Sequence, residues 1–166
     1  MEAGNLFSGS ALGEVAPDGA VRLPDFVRRG IAAGTAGGRV VFGVHDRDPC
    51  VTAHRPAQWQ AIEADLERQR LRDEGRGADP AEHHRRARRA FGLAEEAQLD
   101  GRGRIRLPEL MRRRGRIGSL ALFVGTGAAV EIWNPHLAAE SDDEALRELA
   151  RYRLGQDDQE YEEEEE

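Results

Sequence analysis

Apolar and polar positions alternate in two short, look-alike stretches. Ile105 and Leu107 alternate with Arg104 and Arg106, and Val21 and Leu23 flank Arg22, which is the period-2 pattern of a half-buried strand. Continuous apolar runs predict two strand pairs, Val40 to Val44 with Cys50 to Ala53, and Leu120 to Gly125 with Val130 to Trp133. Phe7 to Val15 reads as a first strand whose glycines favour bends or bulges. The period turns helical from Pro56 to about Leu71, where Trp59, Ile62 and Leu66 recur among charged residues. Short helices are expected over Asp25 to Ala33, closed by Gly34, and from Pro108 to Arg114, stopped by Gly115. Asp79 as N-cap, Pro80 and Glu82 start a helix carrying His83, His84, Arg85, Arg86, Arg88 and Arg89. A last helix opens at Asn134-Pro135 and uses Leu146, Leu149 and Leu154 to pack.

Turn chemistry precedes both alternating stretches. Asp100-Gly101-Arg102-Gly103 combines an Asx side chain with glycines that tolerate positive φ, and Ala16-Pro17-Asp18-Gly19 is a second turn. Gly19-Ala20-Val21-Arg22-Leu23-Pro24 aligns with Gly103-Arg104-Ile105-Arg106-Leu107-Pro108 at an offset of 84 residues. Each copy continues into a short helix, an apolar strand pair and a proline-led segment at Pro56 or Pro135, so one unit is written twice. From periodicity alone the fold is a small β-rich domain with an internal duplication.

The pattern Asp100, two residues, Gly103, Arg104, followed by Leu107-Pro108, resembles the D-x-x-G-R motif of the MraZ proteins, bacterial transcription regulators related to the AbrB group. The resemblance runs from about Phe7 to His136 and includes the stretch RRAFGLAEEAQLDGRGRI. It implies a fold that is mainly β with short helices, in which duplicated AbrB-type swapped-hairpin units form one pseudo-symmetric barrel. The expected division is a first unit over 7–57 with a degenerate motif, a following helix over 58–72, a linker and basic helix over 73–92, and a second unit over 93–137. A C-terminal helix over 138–155 and a disordered acidic tail over 156–166 complete it. The resemblance further implies double-stranded DNA as partner and assembly into homo-oligomeric rings. It also implies repression of the division and cell-wall gene cluster that contains the protein's own gene, and antagonism of a neighbouring methyltransferase. Arg104, Arg102, Arg106 and Arg22 are the candidate DNA contacts; Asp100, Gly103, Gly19, Leu107 and Pro108 are candidate structural positions of the motif. In the first copy Ala16 and Ala20 stand where the motif has Asp and Arg. Either Arg22 substitutes for the missing charge or that unit is purely structural.

Composition changes the picture in one respect. The net charge of −7 divides into −10 over residues 140–166 and +3 over the rest, and all 24 basic residues are arginine. Planar guanidinium groups suit phosphate and guanine recognition, although a GC-rich genome also depletes lysine. The acidic tail is expected to compete with DNA or to remain a solvated appendage. One cysteine, Cys50, excludes an internal disulfide and a cysteine metal cluster, and reads as a small buried hydrophobe. Neither glycine-rich stretch carries a phosphate-loop continuation, the adjacent histidines point about 100° apart on a helix, and the acids of His45 to Pro49 read as turn formers. No catalytic constellation, cofactor motif, signal peptide or membrane span is read, so the expectation is a cytoplasmic, nucleoid-associated protein that is not an enzyme. The competing class is a protein-interaction module acting on the methyltransferase with weak or no DNA binding.

Overall fold

The computed structural model describes residues 6–32, 37–45 and 47–165, with side chains through Asp157. The expected closure of the first helix at Gly34 and the expected turn former Asp46 lie outside the described residues. The chain runs β1 (Ser10–Glu14), β2 (Ala20–Arg22), α1 (Asp25–Ala32), β3 (Arg39–Val44), β4 (Val51–His54), α2 (Pro56–Gly75) and α3 (Pro80–Ala87). After a π-turn over Arg88–Gly92 come β5 (Glu95–Gln98), β6 (Arg104–Arg106), α4 (Glu109–Arg114), β7 (Leu120–Gly125), β8 (Val130–Trp133), α5 (Pro135–Ala138) and α6 (Glu144–Glu165).

Six strands form one antiparallel sheet in the order β1-β7-β8-β4-β3-β5, and β2 pairs with β6 in a separate two-stranded ribbon. The order reads the same from either end when β1 is exchanged with β5, β7 with β3 and β8 with β4. Each outer strand therefore pairs with a strand from the other half of the chain: Ser10 lies opposite Val124, and Arg39 opposite Gln98. In the ribbon Val21 lies opposite Ile105, two residues separated by the same 84-residue offset as the aligned stretches. The ribbon is the axis about which the halves exchange.

The expected closed barrel is not what forms. The ladder from β1 to the ribbon reduces to a single bridge between Val15 and Val21, because the tight turn at Ala16 to Gly19 swings the chain out of the sheet after one pair. The sheet therefore ends at β1 on one side and β5 on the other. Nor is the molecule mainly β: helices hold more residues than strands, since α2, α3 and α6 extend the strand-rich body.

Burial explains the arrangement. Val21, Leu23, Ile105, Leu107, Met111, Phe42, Phe123 and Ile132 meet in the principal core, closed over by α1 and α4. A second cluster, Cys50, Leu122, Trp133, Ala138, Leu146 and Ala150, lies under α5 and α6. Cys50 is buried, and burial pushes its thiol pKa up, which fits the small-hydrophobe reading. The expected single last helix is two. Asn134 caps α5 by accepting from His136 N at 2.9 Å, the chain turns, and Asp143 Oδ1 accepts from Leu146 N at 2.9 Å to start α6. α6 then continues through Glu165, past the point where the charge run predicts disorder. Packing of Leu146 and Ala150 offsets nucleation, after which each added Glu or Gln extends the helix at small cost.

Candidate nucleic-acid interface

Each turn is held by one carboxylate and one glycine. Asp100 Oδ1 accepts from Arg102 N at 2.8 Å and Arg104 N at 2.9 Å, while Asp100 N donates to Arg104 O at 2.8 Å. These backbone donors, first that of Arg104, hold its carboxyl below the usual range, and Arg104 and Arg102 reinforce the effect. Arg104 Nε stands 3.9 Å from Asp100 Oδ2, so that pairing is loose and the guanidinium stays half exposed. Gly103 supplies the backbone bend at φ 76° and Gly19 its counterpart at φ 91°.

The first copy keeps its carboxylate at a different position. Asp18, not residue 16, accepts from Ala20 N at 3.0 Å, and the same backbone bond lowers its pKa. Its second oxygen reaches across the ribbon to Arg106 Nη2 at 3.2 Å. The sequence carries Asp18 in plain view, but the alignment that matches Gly19 to Gly103 puts Ala16 opposite Asp100 and hides it.

Alternation then sorts the ribbon into two faces. Val21 and Ile105 point inward and are buried, while Arg22, Arg104 and Arg106 are exposed on the outer face. Arg22 lies directly opposite Arg104, and Arg106 opposite Ala20. Like charges facing each other across a strand pair are destabilising. Asp18 and Asp100 temper this at the two ends, yet among the described residues Arg22 and Arg102 have no salt bridge. All four arginines named from the sequence thus lie on the outer face of the ribbon or, for Arg102, in its turn.

Leu107 and Pro108 anchor it. Leu107 is buried and its N–H donates to Gly19 O at 2.9 Å; in mirror fashion Leu23 N donates to Gly103 O at 3.0 Å. Pro108 is the N-cap of α4 rather than its first helical residue. Sequence reasoning missed two residues, Arg28 and Arg112, which are again 84 apart. Arg112 bridges Leu107 O and Pro17 O, both at 3.2 Å, above the Gly19 turn. Arg28 pairs with Asp25 and lies against Gly103. Arg112 fastens the turn of the other half by hydrogen bonds, Arg28 packs against its counterpart, and only their shared offset could have marked them. Arg28 also lines an open groove beside Arg22 with Arg29 and Arg153, which widens the basic surface.

Among the described residues no group of His, Cys, Asp and Glu is placed to hold a metal, and no helix is long and apolar enough to cross a membrane. No family model matches the chain. It is, however, similar to several proteins named transcriptional regulator MraZ. It is 33% identical to that of Nitrosococcus oceani over 129 residues, covering 70% of this chain and 79% of the relative. It is 30% identical to that of Thioalkalivibrio sulfidiphilus over 143 residues, 86% of this chain and 89% of the relative. The Pseudomonas aeruginosa protein is 27% identical over 147 residues, 86% and 91% of the two chains.

Proposed function

We infer that this chain, which belongs to the MraZ family of transcriptional regulators, binds double-stranded DNA through the arginine face of the β2–β6 ribbon. The observation that carries the reading is the convergence of Arg22, Arg104 and Arg106 on the one outward face of a ribbon whose inward face is locked by Val21 and Ile105. A two-stranded ribbon fits the width of the major groove, and arginine can bond guanine O6 and N7 or adjacent phosphates. Arg102 at the turn tip extends the reach, while Asp100, Gly103, Gly19, Leu107 and Pro108 fix the turns.

In the proposed scheme the protein represses the gene cluster that includes its own gene, and several copies in a ring engage repeated promoter-proximal sites. A ring raises the effective concentration of each weakly binding ribbon. Gel shift against DNA upstream of its own gene, at two salt concentrations, tests the reading. Arg104→Ala should keep its fold and lose roughly 1–3 kcal/mol of binding if a base edge is contacted. Unchanged affinity in the folded variant would transfer the function to a protein partner such as the neighbouring methyltransferase.

A further inference from the structure

A second arginine cluster sits at the far end of α4 from the ribbon. Arg113 and Arg114 at the end of α4, Arg116 just beyond it, Arg47 in the β3–β4 connection and Arg89 in the π-turn surround a hollow of about 410 Å³. Three stretches distant in sequence meet there only on folding. Arg89 is tied in place by donating to His45 O at 3.0 Å, and Arg113 is paired with Glu109 at 2.8 Å. Among the described residues the guanidinium groups of Arg47, Arg114 and Arg116 have no salt bridge. Among the described residues that line it the one carboxylate, Asp48, stands 3.6 Å from His45 Nδ1.

The helix does not require Arg114 or Arg116 in order to form. At the 84-residue offset, Arg114 and Arg116 correspond to Gly30 and Ala32 of α1, so the equivalent helix forms without either arginine. Arg116 moreover adopts φ 52°, and it is the one non-glycine residue with positive φ among those described. It follows the C-cap of α4, where Ile117 N donates to Arg112 O and Asn134 Nδ2 to Arg116 O, a position that glycine suits better than arginine. Converging, mutually repelling cations in a concavity of small-ligand size match a compact polyanion. The exposed arginine face of the ribbon, by contrast, suits an extended duplex.

We propose that this hollow binds a small polyphosphate, a molecule with two or three linked phosphates such as a nucleoside triphosphate, separately from the DNA face. Isothermal titration of the full-length protein with sodium tripolyphosphate, ATP and adenosine, without divalent cations and at physiological ionic strength, tests it. Both triphosphates should bind and adenosine should not. The Arg114→Gln, Arg116→Gly double variant should weaken both by at least about tenfold, given charge-assisted contacts. Arg116→Gly alone should melt no lower than the parent, and Arg47→Gln supplies an independent folded variant that should also bind more weakly. Arg104→Ala should bind triphosphate as the parent does. Absence of binding to the parent protein, affinity untouched by the hollow variants, or equal loss in Arg104→Ala would each overturn the proposal.

Discussion

At Gly19 and Gly103 the absence of a side chain does two jobs, since both have positive φ and both lie beneath an arginine from the opposite half. A methyl group on Gly103 would come within 2.8 Å of Arg28 Cδ, in a side chain that can move. On Gly19 it would come within 2.6 Å of the Leu107 carbonyl, part of the rigid ribbon. Both Ala variants incur about 1–2 kcal/mol of left-handed backbone strain, and Gly19→Ala should be the more destabilised in urea denaturation because backbone cannot yield. A reversed ranking would show that Arg28 is the stiffer neighbour. The sequence made the glycines and Asp100 legible, because turn chemistry is local. It could not show Asp18 meeting Arg106 across the ribbon, Arg112 fastening the opposite turn or Arg28 packing against its counterpart, since those contacts exist only once distant halves meet.

Among the elements, β4 and α2 share a titratable contact. His54 meets Trp59 in a tilted ring contact at 5.4 Å, its Nε2 lies 3.0 Å from Thr52 Oγ1, and burial lowers its pKa to about 4. The unfolded chain takes up this proton near pH 6.5 and the folded chain only near 4. The stability from a neutral His54 is thus complete above about 6.5, falls as pH drops through the window, and is fully lost below about 4. The loss is on the order of 1–3 kcal/mol, discounted for partial exposure of the ring. Chemical denaturation from pH 7 to 4 should show it, and His54→Gln should flatten it. Asp18 and Asp100 have lowered pKa values, so their stabilisation is present above the ordinary carboxylate range and disappears only at still lower pH. In α6, Arg153 lines the groove next to Arg22, and the helix then carries the acidic run onward. Deleting Gln156 to Glu166 should tighten DNA binding at low ionic strength, with the gain fading as salt is added. Equal low-salt affinities would show that the acids do not act on the ribbon. Helical spacing marked α2 and capping marked α3, but the length of α6 was not legible: charge repulsion argues for disorder, and only tertiary packing nucleates the helix.

For the whole molecule, the expected ring should appear in light scattering at micromolar concentration as a mass several times 18.4 kDa. A strict monomer would remove the multivalent argument for DNA binding. The alignment at an 84-residue offset was readable from the chain, whereas the pairing that sets its equivalent residues Val21 and Ile105 opposite each other was not. Openness of the sheet was not readable, because alternation records which face is buried and not whether the last strand finds the first. The exchange of outer strands has a further consequence for biogenesis. β1 leaves the ribosome well before its partner β7, which lies more than a hundred residues downstream. At bacterial elongation rates of up to about 20 residues per second, the strand waits roughly five seconds or more with its edge unsatisfied. During that wait two nascent chains on one message can exchange halves, so the strands that knit one molecule together are equally able to knit neighbours made side by side.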